Sequence, residues 1–118
     1  MNYTTNRFKA TISRINPLAI KAYYPPCNLV ELNKKVVKFD VYELEGSNTY
    51  GQLAGMIRNK CSNIRIDLLN SVGESVQLHD YINCTLTDFN YPPFDISNID
   101  KIRIIRIEFS FAYILHAA

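Results

Sequence analysis

The sequence predicts a mainly β fold, an antiparallel β-barrel or sandwich with one flanking α-helix. The stretch 101–115, KIRIIRIEFSFAYIL, alternates in its second half. Ile105, Ile107, Phe109, Phe111, Tyr113 and Leu115 fall on one face, and Arg106, Glu108, Ser110, Ala112 and Ile114 on the other. A period of two is the signature of a strand. Several shorter alternating runs precede it, and only one stretch, 49–60, carries helical spacing. Read as one strand, 101–115 would span about 45 Å at about 3.3 Å per residue. Typical strands have about five or six residues, so partners for so long a strand are expected from a barrel or from neighbouring subunits. That points to assembly rather than catalysis.

The elements follow in order. Phe8, Ala10 and Ile12 alternate with Arg7, Lys9, Thr11 and Ser13, which predicts a first strand over about 6–14. Asn16-Pro17 reads as a turn, since proline fixes φ and biases the residue before it away from helix. A short strand LAIKAYY follows and stops at Pro25-Pro26, and 27–33 reads as a loop. Residues 35–44, KVVKFDVYEL, predict a third strand with Val37, Phe39 and Val41 on one side.

After Gly46 the period changes. Tyr50, Leu53, Ala54 and Ile57 are helically spaced, with Ser47 or Asn48 as N-cap and basic Arg58 and Lys60 near the C-terminal end. Gly51 and Gly55 weaken this helix by roughly 1 kcal/mol each, so it needs tertiary support. A small residue at Gly55 would let it lie close against a sheet. Strands resume over 63–69, turn at 70–73 with Gly73 available for positive φ, and return from 74 to about 86. The segment 87–100, TDFNYPPFDISNID, reads as an ordered connection before the last strand.

Composition narrows the functional classes. A chain of 118 residues suits one domain, 1–118, with an ordinary core. A net charge of +2 and no run of more than two basic residues argue against a dedicated nucleic-acid binder. The eight Tyr and six Phe suit strand propensity better than base stacking. A single-stranded nucleic-acid-binding barrel using Lys9, Lys38 and Arg65 remains the alternative from a different class. Cys27, Cys61 and Cys84 lack metal spacing, and with His79 they read as core thiols and a surface imidazole. His79-Asp80 is no catalytic dyad, because adjacent strand residues point to opposite faces. No phosphate loop, dinucleotide fingerprint or other catalytic constellation is present, so neither an enzyme nor a cofactor is expected. No run has signal-peptide or membrane-span character, which suggests a soluble protein made in a cytoplasm. The N-glycosylation patterns at Asn2 and Asn83 then read as chance matches.

The second half resembles contractile phage tail tube proteins. The similarity runs from IRIDLLNSVGESVQLHDYINCTLTDFNYPPFDIS through NIDKIRIIRIEFSFAYI, and is closest at Asp100–Ile102 and at FSFAYI. NRFKATIS and VKFDVYEL match the family's first and middle strands. The resemblance implies a small β domain of tail-tube type with a flanking helix. It implies copies closing into a hexameric ring whose sheets merge between subunits, and rings stacking into a tube for DNA ejection. The implied partners are other copies, tail sheath and baseplate proteins, and double-stranded DNA passing without sequence-specific binding. The implied place is the virion tail, with no membrane involved. On this scheme Arg106, Glu108 and Ser110 face the channel. Ile105, Ile107, Phe109 and Phe111 pack beneath the helix face of Tyr50, Leu53 and Ile57. The chain is short for a major tube subunit, with LAIKAYYPPCNLVELN as the one candidate inter-ring contact, so a ring at the baseplate or tail end is the other station.

Overall fold

In the computed structural model, residues 7–43, 49–58, 63–90 and 103–117 are described. The expected connection at 91–100, the N-cap at Ser47 or Asn48, Cys61, the Asn2 pattern and the first residues of the last strand lie outside them. The strands are β1 (Phe8–Thr11), β2 (Ile20–Tyr24), β3 (Val36–Tyr42), β4 (Ile64–Leu69), β5 (Ser75–Ile82), β6 (Thr85–Asn90), β7 (Ile104–Ser110) and β8 (Tyr113–Ala117). Two helices, α1 (Leu29–Lys34) and α2 (Thr49–Arg58), interrupt them. The strands form two four-stranded sheets, ordered β1-β4-β5-β8 and β2-β3-β7-β6. Every pairing is antiparallel.

The core lies between the sheets. Ala10, Ile64, Ile66 and Tyr81 face inward from the first sheet, and Val37, Phe39, Val41, Leu86, Ile105, Ile107 and Phe109 from the second. Alternation fixes this face, because every second side chain of a strand points the same way. Edge-on contacts tie the aromatics together, with Phe39 and Phe109 6.1 Å apart and Tyr81 and Phe111 5.0 Å apart.

The long closing strand of the sequence is two strands in two sheets. The Phe111 amide donates to the Lys35 carbonyl at 3.0 Å, next to β3, and the Ala112 amide to the Ile82 carbonyl at 2.8 Å, at the end of β5. Two consecutive residues thus hand the chain from one sheet to the other. The inward phase slips by one residue at this corner. Ile105, Ile107, Phe109 and Phe111 are buried, but beyond the corner Ile114 packs against the core. Tyr113 and Leu115, expected on the inner face, are 52% and 53% exposed. A one-residue slip exchanges the two faces of everything beyond it.

The expected strand from 74 to 86 breaks in the same way. Asn83 has φ of 55°, a left-handed geometry that asparagine tolerates, and its amide donates to the Asn63 side chain at 3.1 Å. Tyr81 faces inward before the break, and Cys84 and Leu86 after it. Strand structure also continues to Asn90, where a connection was expected. The hairpin at 70–73 forms as expected. Gly73 has φ of 88°, and the Asn70 side-chain oxygen accepts from the Val72 and Glu74 amides at 3.1 and 2.9 Å.

The segment 27–33 is a helix rather than a loop over most of its length. Asn28 caps α1 by accepting from the Glu31 amide at 2.8 Å, while Glu31 accepts from the Asn28 side chain at 2.8 Å. This is a reciprocal capping arrangement, and the left-handed Lys35 (φ 55°) ends the helix. In α2 the buried side chains are Leu53 and Met56, whereas Tyr50 and Ile57 are 54% and 42% exposed. The buried stripe is therefore rotated from the expected Tyr50–Leu53–Ile57 face, because the helix packs on β6 at the margin of its sheet. Tyr50 meets Phe89 of β6 edge-on at 5.8 Å. A Cβ at Gly55 would meet nothing within 4 Å, so this glycine does not serve a close approach to the sheet. No helix among the described residues is long and apolar enough to cross a membrane.

Candidate assembly surface

The outer face of the β2-β3-β7-β6 sheet is a ladder of charged and polar groups. It arises from the same alternation that buries Ile105, Ile107 and Phe109: their neighbours Arg106, Glu108 and Ser110 must point away from the core. Arg106 lies between Asp40 of β3 and Asn90 of β6, Glu108 between Lys38 and Asp88, and Ser110 between Val36 and Thr85. The structure thus places the three expected channel residues on one face, in one strand.

Asp40 is the anchor of this face. Its side chain is 9% exposed and accepts two bonds from the Arg106 guanidinium, at 2.8 and 3.1 Å. The Tyr24 hydroxyl donates a third at 2.8 Å, and the guanidinium carbon sits 4.6 Å from the centre of the Tyr24 ring. Bidentate pairing and stacking are the geometry that arginine provides and lysine does not. The Arg106 bonds, more than offsetting partial burial, hold the Asp40 carboxyl below the usual carboxylate range. The same bonds raise Arg106, and the bond to Asp40 raises the Tyr24 phenol. Further along, Lys38 reaches Glu31 of α1 at 3.7 Å, and the Thr87 hydroxyl donates to the Glu108 carboxylate at 3.1 Å. Charges on this face form two pairs, Asp40 with Arg106 and Lys38 with Glu31, while Glu108 stands across the ladder from a second carboxylate, Asp88.

A depressed carboxyl binds its proton less tightly in the folded chain than in the unfolded one. Its stabilising contribution is therefore complete above the unfolded value of about 3.9 and is lost as pH falls through the folded value. Asp40→Asn is expected to cost about 1 kcal/mol at neutral pH, solvent at the half-exposed Arg106 keeping the loss modest. The difference from wild type should shrink below about pH 4. Urea unfolding of both proteins across that range measures it, and a difference that persists unchanged in acid would count against the pairing.

The opposite outer face, on the β1-β4-β5-β8 sheet, differs in character. Arg65 and Asp80 pair across it at 3.4 Å, and Tyr113 and Leu115 stand half exposed at the β8 edge. Asp80 points outward here while His79 bonds Tyr23 on the inner side, so the two do not meet. Half-buried His79 is not the surface imidazole expected. Cys84 is buried, with its thiol donating to the Tyr81 carbonyl at 3.3 Å, and Cys27 is exposed. No group of three or more metal-ligating side chains occurs among the described residues.

Both sheets end in edge strands, β1 and β8 in one, β2 and β6 in the other. With four antiparallel strands per sheet, the two edges of each sheet run in opposite directions. A copy rotated about an axis along the strands would present β2 to β6 in antiparallel sense. The ladder could then continue from copy to copy without reversal.

Known structures share this fold across nearly the whole chain. A chain of the sheath-tube complex of the extracellular contractile injection system PVC, in its extended state, superposes with a TM-score of 0.72 at 14% identity. The match covers 99% of this chain and 92% of that one. The anti-feeding prophage cap, described as a tube terminating cap, gives 0.65 at 17% identity, covering 100% and 92%. Hcp1 from Salmonella typhimurium gives 0.61 at 10% identity, covering 92% and 84%. The chain has the tail-tube fold of contractile injection systems. The sequence matches no protein-family model and no curated protein.

Proposed function

We propose that this chain is a structural subunit, without enzymatic activity, that closes into rings forming part of the tube of a contractile tail or injection machine. The carrying observation is the fold shared over 99% and 92% of the two chains with the contractile sheath-tube complex. The edges β2 and β6 of the described sheet, antiparallel in sense across a rotated copy, supply the physical route to closure. The whole chain, 1–118, acts as one such unit, and hexameric rings stack into the tube. The face of Arg106, Glu108 and Ser110 lines the channel. A wall that combines the Asp40–Arg106 pair with the carboxylates of Glu108 and Asp88 stays wet yet offers no uniform positive field to grip a polyanion, which suits passage of double-stranded DNA in a phage tail. The half-exposed Tyr113 and Leu115 then face outward, toward sheath or baseplate proteins, in a virion tail built in the host cytoplasm.

A second station has its own support. The likeness to the tube terminating cap covers all of this chain at 17% identity, so a ring at the end of the tube is the other reading. Negative-stain electron microscopy of the purified protein, with mass determination in solution, tests both. Hollow tubes are expected of a stacking subunit, and isolated rings of an end ring. A chain that stays monomeric at high concentration would overturn self-assembly. Salt-sensitive capture of single-stranded DNA by such a monomer, through Lys9, Lys38 and Arg65, would favour the nucleic-acid-binding barrel.

A further inference from the structure

The two histidines of the chain meet on the inward-facing side of the β1-β4-β5-β8 sheet, His79 half-buried and His116 exposed at its β8 edge. His79 of β5 and His116 of β8 are cross-strand partners, with ring centres 4.7 Å apart and planes 30° from parallel. The His79 Nδ1 lies 2.8 Å from the Tyr23 hydroxyl, which is also bonded to the Tyr81 hydroxyl. Tyr23 belongs to β2 and Tyr81 to β5, so this short polar chain joins the two sheets across an apolar interior. Tyr81 is 1% exposed, and the Tyr23 ring stacks on Phe39 at 5.4 Å.

The direction of the hydrogen bonds is set by supply. Two phenols and one imidazole nitrogen are all satisfied when Tyr81 donates to Tyr23 and Tyr23 donates to an unprotonated Nδ1 of His79. Protonated histidine has donors only. Its Nδ1 hydrogen would have to point at the Tyr23 oxygen, and Tyr23 could no longer give its own hydrogen to His79. Three hydrogens, those of Nδ1, Tyr23 and Tyr81, would then compete for the two contacts at Tyr23, and one phenol hydrogen would lose its place in the chain. Leaving a buried donor unmade is costly.

The surroundings oppose the charge as well. His79 lines a cleft of about 420 Å³ whose charged lining residues, Arg7 before β1 and Lys21 of β2, are both cations. From β4 it meets apolar Ile66 across the ladder, from β5 Tyr81, from β2 Tyr23 and from β8 His116. No carboxylate stands among these groups, and Asp80 is turned to the other face with Arg65.

We propose that His79, Tyr23, Tyr81 and His116 form an acid-sensitive latch between the two sheets, closed while His79 is neutral and released when it takes a proton. Burial first, and His116 second, lower the proton affinity of His79 in the fold. The sign follows. A base whose folded value lies below its unfolded value contributes stability that is complete above about 6.5 and is lost as pH falls through the folded value. The strands that the latch holds, β2 and β8, are both sheet edges, so its release loosens the margins of the fold first.

Nuclear magnetic resonance titration of the His79 imidazole from about pH 8 to about pH 5, with urea unfolding at the same pH values, tests the latch. The His79 midpoint is expected below that of free histidine, about 6.5, with each unit of depression appearing as about a tenfold loss in the folding equilibrium. His79→Asn, whose side-chain oxygen can take the acceptor position of Nδ1, should abolish that loss. His116→Asn should keep the Tyr23 bond and raise the His79 midpoint. A wild-type midpoint at or above about 6.5, or stability unchanged between about pH 7.5 and about pH 5.5, overturns the proposal even if neither variant folds.

Discussion

Replacing Phe109 by alanine is expected to destabilise the chain by about 3–5 kcal/mol, the largest loss of any single truncation considered. Phe109 is fully buried on β7, opposite Val37 of β3 and Leu86 of β6, and its ring meets Phe39 edge-on. Neighbours in two flanking strands are held by backbone pairing on both sides, so they can collapse only partly into the space left behind. The loss therefore includes both the transfer of the ring and the residual cavity. Ser110→Ala is the control, one residue along on the outer face, where changes usually stay within about 0.5 kcal/mol. Urea unfolding at unchanged slope gives both values. A Phe109→Ala loss below about 1 kcal/mol would mean that the two sheets do not close over a packed core.

The second large effect concerns α2. Leu53→Ala is expected to cost about 2–5 kcal/mol, because Leu53 is 1% exposed within the core cluster. Ile57→Ala should cost about 1 kcal/mol in the isolated chain, since at 42% exposure much of its surface never leaves water. The two positions belong to one stripe by sequence spacing, so the contrast measures how the helix is rotated on the sheet. Equal losses would restore the face centred on Tyr50, Leu53 and Ile57. If the chain forms rings, the same pair of variants has a second readout. A loss of ring mass in Ile57→Ala at nearly wild-type stability would place that side of α2 against a neighbour.

Period-two alternation was enough to find the inner face of β3 and most of β7, and with it the outward placement of Arg106, Glu108 and Ser110. Those facts are local, since a strand has two faces whatever it pairs with. The turn at 70–73 was legible for the same reason, because asparagine and glycine impose their geometry within four residues. α1 was missed because it is short and lacks a buried side, so only Asn28 with Glu31 three residues on signalled it.

The corners and the latch were set by contacts distant in sequence. Nothing in FSFAYIL announces that Phe111 still follows β3 while Ala112 already follows β5. The slip that turns Tyr113 and Leu115 outward is decided by those partner edges. Tyr23 meets His79 and Tyr81 across 56 and 58 residues, beyond the reach of any local pattern. The bidentate Asp40–Arg106 pair spans 66. The sequence by itself determined that the chain forms strands, which residues of β3 and β7 face inward, and that its charge is nearly balanced. Tertiary structure alone decided where those strands change sheets and which polar groups meet, because backbone alternation is a property of one strand and register is a property of two.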